Sequence, residues 1–151
     1  MRHNRGVNKL CIALICASSI YAATGVEIWA GLDLKNSAGQ LASEAEAKGI
    51  AGKTLGAASL WRRAKSGQAE LHKTKTDLLI VEQGSATLVF GGVIPDGKTT
   101  TPNEIRGSSI KGGESRKVEA GDVIHIPAGT PHQFVLDKGQ SVAYFALKLA
   151  R

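Results

Sequence analysis

The sequence predicts one all-β domain, a barrel or a sandwich, with a short helix before it. Short segments rich in β-branched and other apolar residues recur from about residue 55 to the C-terminus. Glycine-rich turns separate these segments at regular spacing, which is typical of barrels and sandwiches. The 151-residue chain is long enough for one core and has no internal repeat, so we expect a single barrel.

The first 25 residues have the features of a secretory signal peptide. Basic residues open this segment, an apolar stretch follows over residues 10–23, and small residues stand near Gly25. The stretch is shorter than the roughly 20 apolar residues that span a membrane. We therefore expect an exported protein, periplasmic or secreted, with no membrane attachment after signal removal. An uncleaved membrane anchor and a buried N-terminal helix are the alternatives.

The cysteines and the basic residues exclude several classes of function. Cys11 and Cys16 both lie in the predicted signal, which excludes disulfides and cysteine nucleophiles from the mature domain. The net charge of +6 falls to +3 when the three basic residues Arg2, Arg5 and Lys9 are removed. The basic groups at 62–65 and 73–75 lack interleaved aromatic residues for base stacking, so we expect no nucleic-acid partner.

A helix is predicted over residues 33–48, where alanine and glutamate are frequent and Gly49 provides a stop. Its apolar stripe is thin, so we expect it to lie against the outside of the barrel. The expected organisation is a signal peptide at 1–25, a helical extension at 26–53 and the barrel at 54–151.

The predicted strands cover residues 55–63, 68–72, 77–83, 86–90, 117–118, 123–126, 133–136 and 142–149, with a turn at Gly84 and Ser85. Residues 91–113 form a long connection rich in proline, glycine and threonine. Such a connection either covers the mouth of the barrel or is a plain surface excursion.

The segment from Gly121 to His132 has the most specific pattern in the chain. A β-branched run over residues 123–126 is followed by Pro127, which cannot continue the ladder of hydrogen bonds. A turn through Gly129 then reverses the chain. His132 therefore opens the next strand and can point into the space that the two strands enclose.

This spacing, Gly-x5-Pro-x-Gly-x2-His, resembles the second signature motif of the cupin superfamily, whose histidine usually binds a metal inside a small β-barrel. The family's asparagine four residues later is Leu136 here. The resemblance implies a double-stranded β-helix, or jelly roll. It also implies a homodimer, since cupin barrels often pair through an exposed strand edge.

The chain also resembles the first signature motif of the cupin superfamily, with three substitutions. Gly84 stands at its last glycine, Asp77 at its glutamate, His72 at its second histidine and Glu70 at its first. Ala64 replaces the opening glycine, so the two motifs together cover residues 64–136.

The spacing of these residues has consequences of its own. Glu70 and His72 are two apart and share one face of a strand. Asp77 is five residues after His72, so it returns to that face only if residues 73–76 form a turn or bulge. His132 joins from a distant strand. Two imidazoles and two carboxylates would then converge in the barrel.

This set predicts a divalent transition-metal site for Mn, Fe, Co, Ni or Zn. Asp77 is shorter than the family's glutamate and either reaches the metal or holds a histidine in place. The alternative is a barrel without metal, in which Glu70 and Asp77 pair with lysines and His72 is a core residue. His125 shares strand parity with Val123; if that face is internal, His125 is a candidate general acid or base, and otherwise a packed strand residue.

Two other mechanisms are excluded. Residues 92–99 match the phosphate-binding loop pattern letter for letter, but Pro102 and Gly107 follow where its helix should begin. The chain also lacks the Gly-x-Ser-x-Gly pattern of serine hydrolases.

The resemblance implies a metal-dependent enzyme acting on a small organic molecule, of dioxygenase, lyase or isomerase type. A small-molecule binder without essential metal is the alternative. An interaction module that uses the barrel as a scaffold is a third reading, and the fold alone does not choose among them.

Overall fold

The computed structural model describes residues 28, 30–42, 45–47, 49–50, 53–54 and 58–150. The predicted signal peptide at 1–25 lies outside the described residues. Within the described ranges the chain forms one helix and twelve strands, so the predicted all-β class is confirmed.

The elements follow the chain in this order: α1 (Gly31–Gln40), β1 (Ala45–Ala47), β2 (Gly49–Ile50), β3 (Lys53–Thr54), β4 (Ala58–Arg63), β5 (Ala69–His72), β6 (Lys75–Phe90), β7 (Lys98–Thr101), β8 (Glu104–Gly107), β9 (Glu114–Glu119), β10 (Val123–Ile126), β11 (His132–Val135) and β12 (Val142–Ala150). β2 and β3 pair with each other, and the other strands join one antiparallel network.

The 16-residue strand β6 links the two halves of this network. Its first half pairs with β12 and β10, and its second half pairs with β11 and β9. The change of partners falls at Gly84, whose φ is +72°. Two residues earlier the register with β12 shifts, because Ala143 pairs with Gln83 and Tyr144 pairs with Val81, which leaves Glu82 as a bulge. The predicted turn at Gly84 and Ser85 is therefore wrong, because β6 continues through both residues as one strand, with a left-handed backbone at Gly84.

The core lies between the two halves. Buried and less buried residues alternate along β6, so Leu79, Val81 and Leu88 all face inward. The rings of Phe134 and Tyr144 stack against each other with their centroids 4.9 Å apart. Each fully buried aliphatic side chain contributes about 1.5–3 kcal/mol. Leu79, Phe134 and Tyr144 of this core also line the cavity of the candidate site described below.

Helix α1 packs on the outer face of the barrel, as predicted. Ala38 is fully buried there and belongs to one apolar cluster with Leu60 and Ala143. The helix ends at Gln40, however, and the prediction of a helix up to residue 48 is wrong. Residues 45–47 instead pair with β4, because strand pairing satisfies their backbone groups and overrides the helix propensity of alanine and glutamate.

The long connection over residues 91–113 contains a hairpin that the sequence analysis did not predict. β7 and β8 pair around Asn103, whose φ is +67°. β8 also pairs with β5, which extends the second half of the barrel. All four residues of β7 are exposed at the sheet edge, so β7 lacks the apolar alternation that signals a half-buried strand.

No helix among the described residues is long and apolar enough to cross a membrane.

We expect Gly84→Ala to destabilise the fold by more than the roughly 1–2 kcal/mol of a left-handed residue alone. A Cβ atom at Gly84 would clash with the backbone carbonyl oxygen of Ser141, which cannot move without disturbing β12. Gly139→Ala is the matched control, because φ at Gly139 is +84° and no atom lies within 4 Å of its Cβ position. Urea unfolding measures both free energies. Equal losses in the two variants would contradict the close packing of Gly84 against Ser141.

Candidate metal centre

Direct cross-strand pairs bring the predicted residues to one face. His132 on β11 lies opposite Glu70 on β5, and Glu70 lies opposite Arg106 on β8. His72 lies opposite Glu104 on β8. Residues directly opposite in an antiparallel ladder point to the same side of the sheet. The interior therefore receives a row of charged and imidazole side chains from three adjacent strands.

Asp77 reaches the same cluster, as the spacing requires. Residues 73 and 74 bend the chain between β5 and β6. This bend changes the face of the strand, and Oδ2 of Asp77 lies 3.3 Å from Nε2 of His72. The same oxygen lies 3.4 Å from Nε2 of His132. The structure thus brings together all four residues of the predicted metal set.

The donor set fits a divalent transition metal. Glu70, His72 and His132 each offer one ligand atom, and these atoms lie within 4.8 Å of one another. Bonds of about 2.1 Å place two ligands of one ion at most about 4.2 Å apart, so a small adjustment closes the set. Imidazole and carboxylate donors suit first-row ions such as zinc, iron or manganese. Asp77 adds a second carboxylate beside both imidazoles.

Both histidines are held with Nε2 toward the cluster. Nδ1 of His72 contacts the carboxylate of Glu104, and Nδ1 of His132 lies 3.0 Å from the carbonyl oxygen of Thr130. These oxygens accept only, so each Nδ1 carries the hydrogen. In the neutral rings each Nε2 keeps its lone pair. Metal-binding histidines typically have this arrangement, with the second nitrogen bound to an oxygen.

Glu104 was missed by the sequence analysis. It lies in the segment predicted as a loop, and no local pattern there marks an inward-facing residue. The pairing of β8 with β5 places it opposite His72, and this register is a tertiary property.

Lys148 is the second residue that the sequence analysis missed. Its Nζ lies 2.7 Å from Nε2 of His72, and 3.0 and 2.8 Å from Oδ2 and Oδ1 of Asp77. No well-formed hydrogen bond from the described residues reaches Oδ1 of Asp77. Strand parity could have found Lys148, since it shares the inward face of β12 with the buried residues Tyr144 and Ala146.

The neighbours of these groups shift their pKa values in opposite directions. Burial lowers the pKa of His72, but the hydrogen bond with Asp77 and the contact with Glu104 outweigh burial and raise it above 6.5. Burial raises the pKa of Asp77, but His72 and Lys148 outweigh it, so this pKa lies below 3.8. Burial holds the pKa of His132 below 6.5. At neutral pH, His132 is therefore neutral and Asp77 is ionised.

The two carboxylate oxygens of Glu70 have different neighbours: one contacts arginines and the other faces the cluster. Oε1 forms an ion pair with Arg106 at 2.9 Å and accepts a hydrogen bond from Arg63 at 3.3 Å. Oε2 lies 3.7 Å from Nε2 of His72 and faces the cluster. Nε of Arg63 also donates to the hydroxyl of Tyr144 at 2.9 Å, which fixes the guanidinium.

A cavity of about 80 Å³ opens beside the cluster. Glu70, Asp77, His132 and Lys148 line its polar side, and Trp61, Leu79 and Phe134 line its apolar side. A single water needs about 10–15 Å³ by this kind of measure, so the cavity holds a few waters or one small ligand.

The structure does not bring His125 to the cluster. On β10, His125 lies opposite Leu78, whereas the next residue, Ile126, lies opposite the inward-facing Asp77. His125 is therefore on the outer face with Val123, and both side chains are exposed. It lines a separate groove of about 460 Å³ between β9 and β10.

Several solved structures are similar to this chain over about three fifths of its length. The polyketide cyclase RemF from Streptomyces resistomycificus is 24% identical over 60% of this chain and 51% of its own, with a TM-score of 0.43. A predicted oxalate decarboxylase from Thermotoga maritima is 11% identical over 62% and 65%, with a TM-score of 0.45. The CENP-C cupin domain of Drosophila melanogaster is 13% identical over 61% and 56%, also with a TM-score of 0.45.

The chain spans less than two thirds of each of these structures. No curated protein matches the sequence. The family described as Cupin matches residues 32–150, which is more than three quarters of the 151-residue chain. The chain therefore belongs to the cupin family.

Proposed function

We propose that this cupin binds one divalent transition-metal ion in its barrel and acts on a small organic anion. The ligands are Glu70, His72 and His132, with Asp77 beside both imidazoles. The observation that carries this proposal is the orientation of the histidines, because each Nδ1 donates to an oxygen and each Nε2 faces the cluster.

Glu70, His72 and His132 would hold the ion, which would supply Lewis-acid chemistry toward an oxygen-bearing ligand or water. The proposed reaction is of dioxygenase, lyase or isomerase type. The protein's own residues fix the geometry: Glu104 and Thr130 orient the histidines, and Arg63 and Arg106 hold Glu70. His125 is not proposed as a general acid or base, because its side chain is exposed on the outer face.

The charge balance supports an anionic substrate. Three carboxylates and three cationic side chains meet around the cluster, namely Glu70, Asp77, Glu104, Arg63, Arg106 and Lys148. A divalent ion would therefore leave a net positive charge at the cluster, whether Lys148 stays beside the ion or turns away from it. A partly enclosed site with such an excess attracts small anions. The cavity of about 80 Å³ restricts them to a few non-hydrogen atoms, such as a short carboxylate.

The proposal also places the protein outside the cytoplasm, in the periplasm or secreted. The basic and apolar pattern of residues 1–25 supports this location. We further propose a homodimer and no nucleic-acid partner.

A metal-free small-molecule binder is the second candidate function. One observation favours it: Nζ of Lys148 already supplies a cation to Asp77 and a donor to His72. In this case the cluster is an internal ion-pair network, and the anion would bind to the cationic side chains directly.

The metal proposal predicts about one equivalent of bound metal per chain, measured by elemental mass spectrometry on protein purified without a histidine tag. A His72→Ala, His132→Ala double variant should lose this metal, because both imidazole ligands are removed. His125→Ala is the matched control and should keep it, since His125 is exposed and away from the cluster. Absence of stoichiometric metal after incubation with Mn, Fe, Co, Ni and Zn salts would refute the proposal.

Glu104→Gln should weaken metal affinity by about 10–100-fold, because the carboxylate that orients His72 and raises the basicity of its ring is lost. Titration against a zinc-binding dye measures the affinity. Glu114→Gln, an exposed change at the edge strand β9, should leave it unchanged. Equal affinities in the Glu104 variant and the wild type would show that Glu104 does not position His72.

The anion proposal predicts that metal-loaded protein binds acetate and does not bind acetamide, which has nearly the same shape but no charge. Calorimetric titration measures both ligands. Metal-free protein should bind acetate more weakly, because the positive excess is absent. Equal binding of acetate and acetamide by the loaded protein would contradict an anionic substrate.

A further inference from the structure

We propose that Lys148 is a built-in competitor for the metal: its ammonium occupies the cation position beside His72 and Asp77, and a metal ion binds only when it leaves. This inference rests on the proposed metal site. It assigns a role to a lysine that the proposed ligand set does not use.

The contacts of Lys148 make its ammonium and a metal mutually exclusive. The 2.7 Å contact between Nζ and Nε2 of His72 places the ammonium directly at the ring nitrogen that faces the cluster. Nδ1 of that ring is already engaged by Glu104, so Nε2 is the nitrogen left for a metal. A metal ion bonded to Nε2 would need the position that the ammonium now occupies in front of this nitrogen. Two cations at this spacing would also repel each other.

The surroundings of Asp77 also favour the replacement of the Lys148 ammonium by a metal ion. The side chain of Asp77 is 3% exposed, and a buried carboxylate without a cation is strongly disfavoured. Nζ of Lys148 lies within 3.0 Å of both carboxylate oxygens, although Oδ1 has only the ion pair and no well-formed hydrogen bond. Lys148 therefore compensates the charge of Asp77 in the metal-free protein, and an ion that replaces it finds an oxygen with free acceptor capacity.

The side chain of Lys148 can turn out of the cluster to solvent, whereas those of His72 and Asp77 are enclosed. The side chain of Lys148 is 37% exposed, whereas those of His72 and Asp77 are at most 4% exposed. Lys148 lies near the C-terminal end of β12, directly opposite Asp77 in the ladder. The flexible four-carbon stem can turn the ammonium to solvent while the backbone pairing stays intact. Exchange of lysine for metal thus requires a side-chain rotation and no change of fold.

The test compares metal affinity in four proteins after metal removal: wild type, Lys148→Met, Lys148→Gln and Lys73→Met. Calorimetric titration with Zn²⁺ gives each dissociation constant. We expect both Lys148 variants to bind Zn²⁺ about 10-fold more tightly or better, because no charge-assisted hydrogen bonds must first be broken. Lys73→Met is the matched control, since Lys73 is exposed between β5 and β6, and it should bind like the wild type.

Thermal unfolding with and without Zn²⁺ is the second measurement. It keeps the test valid if removal of Lys148 weakens the metal-free fold, because the stabilisation by metal should then be larger in the variants than in the wild type. Metal binding by the variants alone would support the competitor role and favour the metal-free candidate function for the wild type.

Two outcomes would overturn the inference. Equal or weaker Zn²⁺ affinity in the Lys148 variants, with the wild type still binding, would reject the competitor role and leave the metal site standing. Absence of binding in all four proteins would reject both the competitor role and the metal site.

Discussion

The register between neighbouring antiparallel strands determines where every charged side chain of the barrel interior lies. Glu70, Arg106 and His132 meet because they are direct partners across β11, β5 and β8. Side chains alternate between faces, so a slip of one residue in β5 would turn Glu70 and His72 to the opposite side of the sheet. The candidate site exists only in this register, and the apolar pairs of the core hold it in place.

The second constraint is electrostatic. The cluster places acidic, basic and imidazole groups in an interior where each unpaired charge is strongly disfavoured. Each acid therefore has partners: the arginines for Glu70, Lys148 for Asp77, and the ring of His72 for Glu104. The balance is close to neutral without a metal. This balance is compatible with a metal site and with an internal ion-pair network, and the proposed role of Lys148 is to separate these two states.

Much of this site was predictable from local patterns. Pro127 ends β10 where the sequence indicates, and the parity of Glu70 and His72 places them on one face. The bend after His72 followed from the odd spacing to Asp77.

Other features depended on pairings between distant segments and left no local signal. Glu104 faces His72 because β8 adds to β5, and residues 45–47 form a strand because β4 offers them partners. Gly84 is typical of a turn, yet β6 continues through it because both halves of the strand find partners in distant segments. Lys148 could have been placed by strand parity, but its contacts with His72 and Asp77 depend on how β12 pairs with β6.

The most direct test of the account is a crystal structure of the protein grown with excess Zn²⁺, with an anomalous difference map calculated at the zinc absorption edge. The account predicts a single strong peak about 2.1 Å from Nε2 of both His72 and His132, with the ammonium of Lys148 turned away from them. A map without a peak in the cluster, with Nζ of Lys148 still bound to His72 and Asp77, would contradict it.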